Sequence, residues 1–320
     1  MDLLRLPLIV LKDVFKNMEF REQFLISSMS KRARSILKLT SVKFDFLFIF
    51  EYDFFINWSQ WPSYLSKTAL IAPELCIGGE KMRMSVNSDG IILSGKLARK
   101  HLPLIAHLLD TLGKPTFSVQ FHDPTEPASV LKFMKAINKR KESIESFKYY
   151  SPETSSELVP RILDECTEVT DCIYINILLP KDFVYTPPRP FKAKELHVRG
   201  GINWIHPESF VNCANIIVLA SHDPKQTAQC WSSFLNKWMG SDTRLQKLWF
   251  NFFQRSDMKS ITEALNNLGT LRKLDRYWIE VKRMDGMEFF IDYRYVYIAI
   301  YTKQAYLEKL KEDEEGENLR

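Results

Sequence analysis

Residues 6–18 read Leu6-Pro7-Leu8-Ile9-Val10-Leu11-Lys12-Asp13-Val14-Phe15-Lys16-Asn17-Met18. Proline suits the first turn of a helix, where its missing N–H removes no bond. Beyond it Leu8, Leu11, Val14, Phe15 and Met18 recur at spacings of three and four, an apolar stripe along one helical face. Leu6, Leu8, Ile9, Val10, Leu11, Val14 and Phe15 together cover more than one face, so this helix carries more apolar surface than a single contact needs. An export signal does not account for the run. Asp2 is acidic, Arg5 interrupts the apolar residues, and no small-residue cleavage site follows Lys12-Asp13.

Outward from this run the pattern stays helical as far as Lys38. Phe20, Phe24 and Leu25 form a second periodic piece, and Ser30 is placed to cap a third helix whose polar face is basic through Lys31, Arg32, Arg34 and Lys38. The period then changes. Val42, Phe44, Phe46, Phe48, Phe50 and Tyr52 alternate with their neighbours, as in a strand. Neither this second apolar run nor the first approaches the roughly 20 apolar residues of a membrane span.

From there strands and helices alternate. Strands are expected over Glu74–Ile77, Thr116–Phe121, Ser146–Tyr149, Cys172–Leu178, Glu195–Val198, Asn215–Leu219 and Gln246–Phe250. Helices are expected over Ala98–Leu112, Pro127–Asn138, Ser156–Glu165, His206–Asn212, Thr227–Met239 and Met258–Leu268. Such alternation implies crossovers and a parallel sheet. The uneven spacing, about 25 to 45 residues per unit, fits an irregular strand–helix solenoid of degenerate leucine-rich-repeat type or a one-off sheet. Near the end, Ile279–Met284, Asp285-Gly286 and Met287–Ile291 read as an antiparallel hairpin with a two-residue type I′ turn, and Tyr295–Tyr301 as a third strand. Glu308–Arg320 is acidic without apolar periodicity and is expected to fray as a disordered tail.

Composition sets the class. The chain has 320 residues, 45% hydrophobic and 26% charged, with a formal net charge of +5 that is modest for its size. That charge does not by itself suggest nucleic acid, which would want its basic residues clustered on one face, and no nucleic-acid partner is expected. The cysteines Cys76, Cys166, Cys172, Cys213 and Cys230 are odd in number and lack C-x-x-C spacing, which suggests neither a disulfide framework nor a zinc ribbon. Free thiols fit the cytoplasm or nucleus. His101, His107, His122, His197, His206 and His222 show no metal-ligand spacing. Gly78-Gly79-Glu80-Lys81 lacks the spacing of a phosphate loop, and Gly200-Gly201 lacks the third glycine of a dinucleotide fingerprint. Catalytic, cofactor and metal motifs are therefore not among the expectations.

Leu6-Pro7, Leu11, Val14-Phe15 and Met18, followed by Phe24-Leu25, Ser27 and Met29-Ser30-Lys31-Arg32, resemble the F-box, with Ala33-Arg34 where an aromatic often follows the basic pair. The resemblance implies three short helices over residues 1–43 that dock on a Skp adaptor and, through it, on a cullin. It assigns adaptor contacts to Leu6, Pro7, Leu8, Leu11, Val14, Phe15, Met18, Leu25, Ser30 and Lys31, with Lys31 and Arg32 at the rim. A segment of roughly 40 residues cannot close a self-sufficient core, which agrees with such a role. Phe234-Leu235-Asn236-Lys237-Trp238-Met239-Gly240, Leu245–Leu248 and Lys282-Arg283-Met284-Asp285-Gly286 in turn resemble the F-box-associated (type 2) domain of the expanded nematode F-box proteins.

The expected architecture is α/β: an F-box over 1–43, a strand–helix, repeat-like region over 44–194, an F-box-associated domain over 195–302 ending in the antiparallel hairpin, and a tail over 303–320. The expected function is that of a non-catalytic substrate receptor of an SKP–cullin–F-box ubiquitin ligase, acting on an unidentified protein. The alternatives are an interaction scaffold without a ubiquitination substrate and, further off, a nucleic-acid binder.

Overall fold

The computed structural model describes residues 5–40, 45–57, 70–71, 75–77, 79–82, 84–86, 90–93, 98–112, 115–151, 157–180, 183, 185–200, 210–220, 233–235, 237–238, 243–251, 269–283, 285–294 and 297–317. The chain divides into two compact units, Met1–Ser151 and Pro152–Arg320. That boundary falls inside the region 44–194 that the sequence pattern treats as one. The fold class is α/β as expected: three N-terminal helices, then a strand–helix domain that ends in antiparallel strands.

The first unit opens with α1 (Leu8–Asn17), α2 (Phe20–Met29) and α3 (Lys31–Leu37). Its strands are β1 (Asp45–Phe50), β2 (Phe54–Asn57), β3 (Leu70–Ile71), β4 (Leu75–Ile77), β5 (Glu80–Met82), β6 (Met84–Val86), β7 (Gly90–Leu93), β8 (Thr116–Phe121) and β9 (Ile144–Ser151). Helix α4 (Ala98–Thr111) precedes β8, and α5 (Pro127–Arg140) links β8 to β9. In the main sheet the order is β3-β6-β7-β2-β1-β8-β9, with β4 and β5 paired separately. Phenylalanine fills this unit. Strand alternation and parallel pairing put Phe46 beside Phe117 and Phe50 beside Phe121 on one face. Phe133 of α5 closes over Phe50 and Phe121 with ring centroids 5.3 and 5.5 Å away. Of the strand expected over Val42–Tyr52, Val42 and Phe44 lie outside the described residues, and Tyr52 is past the strand end.

The second unit contains α6 (Val159–Glu165), then β10 (Cys172–Ile177), β11 (Glu195–Gly200), β12 (Asn215–Ala220) and β13 (Lys247–Asn251) as successive parallel neighbours. In β10 and β11, and in β12 as far as Leu219, the alternate residues starting from the second, such as Ile173, Leu196 and Ile216, are buried and their neighbours are not. One face of the parallel sheet is therefore core and the other half-exposed. Gly200 ends β11 with φ +103 and lies so close to the Ile177 carbonyl that a Cβ would sit 2.4 Å from its oxygen, so no other residue fits there. Trp238 is buried on a short helical piece and donates its indole N–H to the Leu245 carbonyl at 2.9 Å. The helix expected over Met258–Leu268 and most of those over His206–Asn212 and Thr227–Met239 lie outside the described residues.

Antiparallel strands complete the second unit: β14 (Gly269–Lys273), β15 (Trp278–Arg283), β16 (Glu288–Arg294) and β17 (Tyr297–Thr302), with β17 pairing both β16 and β13. The expected hairpin is β15–β16, but its turn differs. Of the Asp285-Gly286 pair Gly286 has positive φ, +89, and Asp285 does not, and the Gly286 N–H donates to the Arg283 carbonyl at 3.0 Å. This is a three-residue loop with glycine in the left-handed position, which lets the register Lys282↔Glu288 form without a type I′ pair. The acidic tail is also ordered: α7 (Lys303–Glu317) follows β17 directly, because Tyr306 stacks on Phe290 at 4.0 Å and against Trp278 at 4.9 Å.

Candidate functional site

The three N-terminal helices are shaped by local chemistry before any partner is considered. Pro7 starts α1 in extended conformation, and its carbonyl accepts from the Leu11 N–H at 3.0 Å. Glu19 and Glu22 close a capping box at the start of α2, with the Glu19 N–H donating to Glu22 Oε2 at 3.1 Å. Ser30 Oγ accepts from the Ala33 N–H at 3.3 Å and caps α3.

Packing then divides the apolar residues into two sets. Leu11 and Phe15 are fully buried against Ala33, Ile36 and Leu37, with Leu6, Met18 and Ile26 packed around them. Outside that cluster, Leu8 is 50%, Ile9 73% and Val10 40% exposed, and Met29 at the end of α2 is 81% exposed. At 100° per residue Ile9 lies roughly 160° around α1 from Leu11, so no rotation of the helix buries both against one surface.

The helices also dock on the strands of their own unit. Phe20 meets Phe46 of β1 edge-on at 5.1 Å, and Phe24 meets His107 of α4 at 6.0 Å. Ser27 Oγ donates to the Phe24 carbonyl at 2.7 Å and lies 3.0 Å from His107 Nε2. With the serine proton so committed, His107 carries its proton on Nε2 and donates to Ser27. Burial pushes the His107 pKa down to about 4; Arg34 adds to this and Asp110 opposes it.

The ten residues singled out in the sequence thus separate. Leu11 and Phe15 hold the helices together from inside, and Ser30 is a helix cap. Leu6, Val14, Met18 and Leu25 are half-buried, while Pro7, Leu8 and Lys31 are exposed. From Leu11 onward the stripe at spacings of three and four marks the inner face, while Leu8 at its head is exposed. Ile9, Val10 and Met29 fall off that stripe, which is why periodicity does not select them. Their signal is surplus: apolar residues left over once one face is filled.

Residues 3–45 match the F-box domain. No curated protein and no solved structure matches the chain. In this F-box the outer residues Leu8, Ile9 and Val10 stay exposed, and the inner residues Leu11 and Phe15 are covered by the domain's own helices.

Away from the F-box, the first unit holds a cavity of about 580 Å³ at the C-terminal ends of β1 and β8. Phe50, Phe121 and Phe133 line it, with His101, Glu51 and Lys132 as polar groups. His101 Nε2 is buried without a hydrogen-bond partner, and burial lowers its pKa to about 4. That ring is neutral at physiological pH. In the second unit Cys166 and Cys213 are buried thiols whose pKa values burial pushes up, that of Cys213 to about 12, which makes them poor nucleophiles. Among the described residues a single trio of metal-capable atoms comes together, from Cys172, Glu195 and His197.

Proposed function

We propose that the chain is a substrate-recognition subunit of an SKP–cullin–F-box ubiquitin ligase, at work in the cytoplasm or nucleus. The observation that carries this reading is the pairing of an F-box match over residues 3–45 with the exposed apolar residues Leu8, Ile9 and Val10 on its first helix. An F-box domain supports binding to a Skp adaptor and thereby to a cullin. Exposed apolar residues on a packed helix supply the desolvation such binding uses. Lys31 and Arg32, exposed at the start of α3, suit a polar rim that guides encounter.

The strand–helix domain would then hold the target. The chain itself performs no covalent step. Tethering raises the local concentration of target lysines around the ligase's charged ubiquitin carrier and makes transfer nearly intramolecular. The likeness of Phe234–Gly240 and the Lys282–Gly286 hairpin to the F-box-associated (type 2) domain of nematode F-box proteins supports placing target recognition in the C-terminal half.

Co-purification with a Skp adaptor tests this. Ile9→Asp adds a charge to the outer face without touching the inner cluster, so adaptor recovery should fall at least tenfold while the circular dichroism spectrum is unchanged. Undiminished recovery overturns the adaptor-docking reading.

A further inference from the structure

Three side chains with different metal-binding chemistry meet on the half-exposed face of the second unit's sheet. Parallel pairing of β10 with β11 sets Cys172 opposite Glu195. Strand alternation returns to the same face two residues later, at His197. The opposite face carries Ile173, Ile175, Leu196 and Val198, all buried, so the trio stands away from the core. Its thiol sulfur, carboxylate oxygen and imidazole nitrogen lie within 4.8 Å of one another, and His197 Nε2 is 3.0 Å from Glu195 Oε2. Ligand atoms of a tetrahedral zinc ion, at bonds of about 2.0–2.3 Å, are about 3.3–3.8 Å apart. Closing the trio on an ion therefore takes shifts of about 1 Å or less.

The neighbouring strand supplies an outer layer. Asn215 of β12 lies opposite Glu195, and its Nδ2 donates to Glu195 Oε1 at 2.8 Å. This bond fixes the carboxylate and leaves Oε2 directed at His197, as outer-shell partners of metal ligands do. Lys247, the nearby cation, has its ammonium over the Tyr301 ring at 5.5 Å. The His197 and Glu195 side chains are 24% and 38% exposed, so an ion can reach them from solvent.

We propose that Cys172, Glu195 and His197 bind a zinc ion, with Asn215 as the residue that positions Glu195. A thiolate with an imidazole selects Zn²⁺ over Mg²⁺ and Ca²⁺, which take all-oxygen ligand sets. Three protein ligands leave the fourth tetrahedral position to solvent. Linear motifs miss this set because Cys172 reaches the other two only through strand register.

The full-length chain titrated with Co²⁺ and then Zn²⁺ provides the test. Wild type should show a saturable thiolate-to-cobalt charge-transfer band at one equivalent, with tetrahedral d–d bands, both displaced by Zn²⁺. Cys172→Ser should lose the charge-transfer band, and Cys76→Ser, at an exposed thiol outside the trio, should keep it. His197→Asn should weaken Co²⁺ binding at least tenfold, which gives a second measure if Cys172→Ser fails to fold. Asn215→Ala should keep the band and weaken affinity about tenfold. Absence of a saturable band in wild type, an undiminished band in Cys172→Ser, or unchanged affinity in His197→Asn overturns the proposal.

Discussion

The first and last helices of the chain are held in the same way and differ in what they show to water. α1 is anchored by Leu11 and Phe15 against α3, and α7 by Tyr306 against Phe290 and Trp278. Outside its anchor α1 presents Leu8, Ile9 and Val10. Beyond its own anchor α7 presents mainly charge, including the Lys309–Asp313 pair at 2.6 Å and spacing i,i+4, with Leu307 and Leu310 as part-exposed apolar residues. Buried anchors explain why each helix is where it is. The outer face of α1 leaves apolar surface in contact with water, whereas water solvates the charges of α7 without cost.

The comparison breaks most visibly at Phe15. Its fully buried ring fills the centre of the α1–α3 cluster, so Phe15→Ala should cost about 3–5 kcal/mol and release the three helices. Adaptor binding would be lost with them. Ile9→Asp, one and a half turns away, should change stability by no more than about 0.5 kcal/mol yet reduce adaptor recovery as strongly. Denaturant unfolding and hydrogen exchange on both variants separate the two effects. Equal stability losses would mean that inner and outer faces are not distinct.

At the other end the expected loss is smaller. Tyr306→Ala removes the stack on Phe290, whose ring planes are 5° from parallel, and should cost about 1–2 kcal/mol. α7 would then fray and become open to limited proteolysis, with adaptor recovery unchanged. Resistance of α7 to proteolysis in this variant would show that Tyr306 is not its anchor.

How far the sequence discloses this molecule depends on where each residue's partner lies. The strand Thr116–Phe121 and the first helix follow from local period and are found where the pattern puts them, and the helix expected over Pro127–Asn138 is found running on to Arg140. α7 does not, because an acidic stretch without apolar period gives no sign that Tyr306 will meet Trp278 and Phe290 from two other strands. The hairpin was visible in Asp285-Gly286, but the pair does not say whether one or two residues take positive φ. In the F-box the stripe identifies Leu11 and Phe15 as buried without saying by what. Their cover is α3 of the same chain, and the apolar residues left exposed are Leu8, at the head of the stripe, with Ile9 and Val10, which break it. Cys172 is brought to Glu195 and His197 by strand register, which a single sequence leaves unspecified.

Acid sharpens the contrast between the two ends by the smallest expected amount. His107 ties α4 to α2 through Ser27, and its pKa in the folded chain is about 4 against an ordinary value of 6.5. Above the ordinary value neither folded nor unfolded chain protonates it, and it adds no pH dependence. As pH falls from 6.5 towards 4 the unfolded chain takes up a proton that the folded chain refuses, so stability is lost across that window. With allowance for partial solvation, the loss at pH 5 is on the order of 1 kcal/mol. His107→Gln keeps a donor for Ser27 and cannot titrate. Its stability difference from wild type should therefore shift in the variant's favour by about that amount between pH 7 and pH 5. The remaining acid sensitivity of the variant belongs in part to His101, whose pKa is also lowered to about 4. Hydrogen exchange should place the wild-type loosening in α1–α3 and not in α7, where no histidine is anchored. A wild-type-to-variant difference that stays constant with pH would remove His107 as the acid-sensitive tie.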